Sequence, residues 1–112
     1  MRSRLVAALL LSFAAGAACA EPADMSLAKA SGCTACHALD VKIVGPSWKD
    51  VAARYKGDPN ARGMLIGKVR NGSRGVWTEV TGGVPMPPYS PRVSDADIEK
   101  LVDFILGLET GK

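Results

Sequence analysis

Residues 33–37 read Cys33-Thr34-Ala35-Cys36-His37. Two thiols separated by two residues lie on one helical turn, close enough to add to the two vinyl groups along one edge of a haem. The residue that follows then faces the iron as proximal imidazole. His37 is the only histidine in the chain, so that role falls to it alone. Two other chemistries use a Cys-x-x-Cys pair. A structural zinc site wants about four Cys or His ligands, and beyond the leader described next only Cys33, Cys36 and His37 remain. A redox dithiol wants a βαβ context, and no strand pattern surrounds the motif. Covalent attachment of one haem c through Cys33 and Cys36 is the reading that stands.

The N-terminus points to export. Arg2 and Arg4 give a basic start, Leu5 to Ala15 is apolar apart from Ser12, and Ala18-Cys19-Ala20 resembles a small-residue cleavage site. Residues 1–20 are therefore expected to be a cleaved signal peptide and 21–112 the mature domain, beginning at Glu21. An uncleaved anchor is the alternative, but the apolar run is short for a membrane span. Cys19 would suit a lipoprotein, yet Gly16 stands where a lipobox usually carries Leu. Export of a haem-binding chain with no second apolar segment predicts a periplasmic protein without stable membrane insertion after cleavage.

The remaining chain makes one domain. A chain of this size buries roughly 60–70% of its unfolded surface and is only marginally stable alone, so a covalently held haem would complete the core. The full sequence has 14 Lys+Arg against 11 Asp+Glu, a formal charge of +3. Losing Arg2 and Arg4 removes most of that excess, and two haem propionates would remove the rest. This balance carries no signal for nucleic acid or for an anionic membrane. Repeats, low-complexity tracts and interdomain linkers are absent from the sequence.

Helices and loops account for the mature chain. A first helix runs from about Asp24 to Gly32, with Asp24 or Ser26 as cap and with Ala28 and Gly32 small enough for close contact. Gly45-Pro46-Ser47 opens a second, in which Trp48, Val51, Ala52 and Tyr55 follow helical spacing until Gly57. Asp58-Pro59 starts a third, through Met64, Leu65 and Val69 to Asn71-Gly72. Residues 72–93 are rich in Gly and Pro and read as loop. Ser94 caps the last helix, where Ile98, Leu101, Val102, Ile105 and Leu106 form one apolar stripe. Burying that stripe contributes about 7–15 kcal/mol gross, an upper bound, and the first helix is its expected partner.

A second iron ligand separates a carrier from a catalyst. With no further histidine, methionine is the soft candidate, and the mature chain offers Met25, Met64 and Met86. Met25 precedes the motif and Met64 sits at a core-like helix position. Met86 lies in Val84-Pro85-Met86-Pro87-Pro88. Prolines lack N–H groups and hold φ fixed, so such a loop enters an apolar pocket with few unsatisfied donors. A stiff loop also loses little entropy when a weak thioether binds. The alternative is that Met86 is core and the iron is five-coordinate or water-bound.

Cys33-Thr34-Ala35-Cys36-His37, Val44-Gly45-Pro46, Lys49-Asp50-Val51-Ala52, Asn71-Gly72-Ser73, Gly75-Val76-Trp77 and Pro85-Met86-Pro87-Pro88 occur in that order. In these blocks the chain resembles the class I monohaem cytochromes c, of the small bacterial c-551 type, over nearly all of its mature length. The resemblance implies an all-α fold of about four helices wrapped around one covalently attached haem, with His37 and Met86 as axial ligands. It implies that the Pro46 carbonyl accepts a hydrogen bond from the His37 ring and that the Trp77 indole N–H bonds a haem propionate. Two departures stand out. The linker Thr78–Val84 is longer than usual, and Tyr89 follows Pro88 where many members carry Asn.

Such a protein is expected to be a monomeric one-electron carrier and not an enzyme, meeting donor and acceptor redox proteins transiently, with Lys29, Lys42, Lys49 and Lys68 as candidates for the contact rim. A haem subunit of a larger periplasmic dehydrogenase is one alternative. A gas-binding or peroxidatic protein is another, although peroxidase chemistry usually wants a distal base and Met86 would fill the open position.

Overall fold

The structure, a computed structural model, describes residues 23–109. The expected leader and its cleavage after Ala20 lie outside the described residues. Five α-helices and one 3₁₀ turn follow in order: α1 (Ala23–Ala30), the 3₁₀ turn Cys33–Ala35, α2 (Trp48–Arg54), α3 (Ala61–Asn71), α4 (Thr78–Thr81) and α5 (Asp95–Leu106). Among the described residues strand pairing is limited to two isolated bridges, His37 with Lys42 and Ser73 with Met86. The fold is all-α, as expected.

Helix α5 organises the core. Ser94 caps it, its side chain accepting the Asp97 N–H, and Asp95 and Asp97 lie in its first turn beside the positive end of the helix dipole. Ile98, Leu101 and Val102 are buried, with Ile98 fully so. Ile105 and Leu106 are half-buried and pack against this core, and Ile105 lines a cavity together with Leu101 and Val102. Helix α1, the expected partner, packs against α5, as does α2, but the most extensive partner is α3. Arg62 pairs with Asp103 through two hydrogen bonds of 2.7 and 3.2 Å, and Arg70 with Asp95 at 3.2 Å. These exposed pairs set the register of α3 on α5 and add little energy.

Small residues do two different jobs near α1. Ala28 is fully buried in the contact with the core, which lets the backbones approach closely. Gly32 is exposed, touches nothing, and has φ +83°. Its place is explained by the left-handed turn after the helix, not by close packing. Helix α1 starts one residue before Asp24, so that carboxylate sits in the first turn and does not cap. Ser47 caps α2 by accepting the Asp50 N–H at 3.1 Å.

The loop expected over residues 72–93 contains one helical turn, α4. The Trp77 carbonyl accepts the N–H groups of Val80 and Thr81 at 2.9 and 2.8 Å, and Gly82 ends the turn at φ +63°. Thr78, Val80 and Thr81 are β-branched and weak helix formers, which is why the sequence conceals it. Met64, expected in the core, lies on the outer face of α3 and is 36% exposed.

A candidate haem site

The Cys-x-x-Cys-His run forms the turn its spacing implies. The His37 and Cys36 N–H groups both donate to the Cys33 carbonyl, at 3.0 and 3.2 Å. Cys33 and Cys36 are half-buried and form no disulfide with each other. Among the described residues no cluster of three or more His, Cys, Asp or Glu could hold a bare metal ion, and no sheet supports a thioredoxin-like dithiol. Burial pushes the Cys33 thiol up, partly offset by the Arg92 charge.

His37 is held from two sides. Its Nδ1–H donates to the Pro46 carbonyl at 2.8 Å, leaving Nε2 as the nitrogen free to bind a metal. The Trp48 ring lies nearly parallel to it, 5.7 Å away at 16°, and Phe104 meets Trp48 edge-on at 6.2 Å. Gly45 closes against the imidazole so tightly that a Cβ there would fall 2.6 Å from Cε1. The Gly45 N–H donates to the Cys36 carbonyl at 2.9 Å, tying this turn back to the motif.

Met86 reaches the same cavity by another route. Its N–H and C=O both pair with Ser73, at 2.8 and 3.0 Å, so the flanking prolines leave no orphaned donor at the ligand candidate. Gly72, at φ +86°, lets this loop approach: a Cβ there would lie 2.9 Å from the Met86 carbonyl oxygen. The Tyr89 N–H then bonds the Val69 carbonyl at 3.0 Å, and its side chain is buried.

Cys33, Cys36, His37, Met86, Pro46, Trp77 and Tyr89 all line one cavity of about 1240 Å³, its open mouth included. The remaining walls are apolar side chains of α3 and α5, among them Leu65, Val69, Leu101, Val102 and Ile105. Lys68 and Arg74 are basic residues that line the same cavity. Two cysteines two residues apart on one turn, an imidazole pinned by its far nitrogen, a soft thioether and apolar walls with two basic residues are a donor set that fits a haem with its two propionates. The residues named from the sequence thus converge. Gly45, Gly72, Trp48 and Arg74 were not assigned roles there. Only the Gly-Pro and Asn-Gly pairs hinted at two of them. Of the lysines proposed for the rim, Lys68 reaches the cavity and donates to Ser73 at 3.4 Å, while Lys49 is ion-paired with Asp40.

Burial lowers the His37 pKa from its ordinary value, and the Pro46 hydrogen bond only partly opposes this. This favours the neutral ring, the form that binds a metal.

The Cytochrome c family model matches residues 25–109. Cytochrome c-551 of Allochromatium vinosum is 52% identical over 86 residues, covering 77% of this chain and 86% of the relative. Cytochrome c-552 of Nitrosomonas europaea is 48% identical over 87 residues, covering 78% and 80%. The crystal structure of wild-type Nitrosomonas europaea cytochrome c552 superposes with a TM-score of 0.69 at 47% identity, over 76% of this chain and 99% of that one.

Proposed function

The chain belongs to the cytochrome c family and carries a covalently bound c-type haem, and from that premise we propose that it is a periplasmic one-electron carrier with His37 and Met86 as axial ligands. The coarse part of this is already given by kinship: it is a small electron-transfer cytochrome. The observation that carries the rest is the convergence of Cys33, Cys36, His37 and Met86 on one apolar cavity, with the His37 Nδ1–H committed to Pro46.

The haem, when bound, supplies a one-electron Fe(III)/Fe(II) couple. Cys33 and Cys36 hold it covalently. The Pro46 carbonyl fixes the tautomer and direction of His37 and makes Nε2 a better donor. The Met86 thioether favours the reduced state and raises the potential relative to a second imidazole. Apolar walls from α3 and α5 exclude water, which disfavours the extra charge of the oxidised state. The Trp77 indole N–H, which has no acceptor among the described protein groups, is the proposed donor to a propionate, with Lys68 and Arg74 as neighbouring cations. With His37 and Met86 both supplied by the chain as ligands, the residues would have little to rearrange on electron transfer.

Redox partners are proposed to meet the cavity mouth. Val44 and Val84 line the cavity and are exposed, and Val41 and Ile43 extend that apolar surface. A patch of this kind suits small, weak, transient encounters. No helix among the described residues is long and apolar enough to cross a membrane. The leader read in residues 1–20 is the support for a periplasmic location.

The test is an absorption spectrum of the exported protein, oxidised, reduced, and reduced with CO. A sharp low-spin reduced spectrum unmoved by CO is expected. A high-spin or CO-shifted spectrum would bring the gas-binding or peroxidatic reading forward and overturn His/Met ligation.

A further inference from the structure

Trp77 stands at a conformationally exposed point of the chain. It follows Gly75, at φ +83°, and precedes the single turn α4, for which it is the capping residue. A ring in such a place is not held by a long helix, and its orientation depends on side-chain contacts. The Arg54 side chain supplies one such restraint. The Arg54 guanidinium lies over the Trp77 ring, 4.4 Å from its centroid, and Arg54 Nη1 donates to the Val76 carbonyl at 3.1 Å. Arg54 is the last residue of α2, and its guanidinium is also 5.8 Å from the Tyr55 ring. One planar group thus grips both the backbone before Trp77 and the face of its ring, and joins that loop to α2 across 22 residues of sequence.

We propose that Arg54 is a positioning residue for Trp77, clamping the indole so that its N–H is held towards the cavity that Trp77 lines. This rests on the reading of Trp77 as propionate donor given above. The chemistry is specific to arginine. A guanidinium can stack on an aromatic face and donate in its own plane at the same time, whereas an ammonium is a compact point charge that cannot do both. A cation within about 6 Å of the ring centroid is attracted to the face, and by drawing on the ring electrons it makes the N–H a better donor to an anion. Among the described residues Arg54 has no carboxylate partner, so its charge is not neutralised locally.

The experiment uses the reduced holoprotein labelled with ¹⁵N at the indoles. Hydrogen exchange is followed at the Trp77 N–H, with the Trp48 N–H and the Ile98 and Val102 amides as internal controls. Arg54→Ala is expected to speed Trp77 exchange about tenfold, the combined loss of one stacking contact and one hydrogen bond, with the controls changed less than about twofold. Arg54→Lys is expected to fall between the two, at about threefold. Unchanged Trp77 exchange, or an equal rise at every control, overturns the proposal. The midpoint potential gives a second arm. Arg54→Ala is expected to lower it, and to do so by less than half as much in a Trp77→Phe background. Equal shifts in both backgrounds would mean that Arg54 acts only as a charge and not through the ring. If Trp77→Phe by itself leaves the potential where it was, the propionate reading fails, and the exchange arm alone decides whether Arg54 holds the indole.

Discussion

Met86→Ala is expected to convert a CO-insensitive protein into one that binds CO when reduced, and to lower its midpoint potential by an amount on the order of 0.2 V. Alanine removes the thioether, and among the described residues no other methionine lines the cavity. Met64 lies on the outer face of α3, and Met25 packs against the core from α1. Neither lines the cavity. The Met86 loop should persist in the variant, because its pairing with Ser73 and the approach allowed by Gly72 are backbone features. The change should therefore appear in ligation and not in folding. A reduced Met86→Ala protein that still refuses CO would place the sixth ligand elsewhere.

Gly45→Ala should be strongly damaging, since among the described glycines it is Gly45 whose added Cβ would come nearest to another atom. Its Cβ would lie 2.6 Å from His37 Cε1 and 3.1 Å from both ring nitrogens. The ring has no easy retreat. It is hydrogen-bonded to Pro46, backed by Trp48, and anchored through the backbone of the motif. Either the ring tilts away from its iron-binding direction or the Gly45 turn moves and strains the Gly45–Cys36 hydrogen bond. The expected cost is about 3 kcal/mol, at the upper end for overpacking, read as a lower denaturation midpoint of the holoprotein. A shift of the methionine–iron charge-transfer absorption should accompany it. Full stability together with an unaltered spectrum would mean that the imidazole moves freely, against the geometry seen here.

Much of this site is legible from local sequence because its chemistry is local. Five consecutive residues bring two thiols and an imidazole to one turn, and no folding calculation is needed to see what they can bind. The proline-flanked Met86 is legible for a related reason, since a stretch without N–H donors is suited to a dry cavity. The last helix is plain from its stripe and its Ser94 cap. Other features are hidden. The turn α4 is built from β-branched residues and held by one carbonyl, so its composition reads as loop. Met64 has helical spacing relative to its neighbours, yet the side of α3 that turns inward is set by α5.

From sequence alone came the haem attachment at Cys33 and Cys36, the all-α class, the proposal that a methionine pairs with His37, and, by resemblance, the parts expected of Pro46 and Trp77. These follow from covalent spacing and helical periodicity, which act over a few residues. Tertiary structure decided which glycines are needed for contact, Gly45 under the imidazole and Gly72 under the Met86 loop, and which only serve a turn, as Gly32 does. It also decided that α5 is at once core and cavity wall, and that Arg54 meets Trp77. Each of these is a contact between segments far apart in sequence. Such contacts arise only when packed helices bring two surfaces within a few ångströms, and no local pattern encodes that distance.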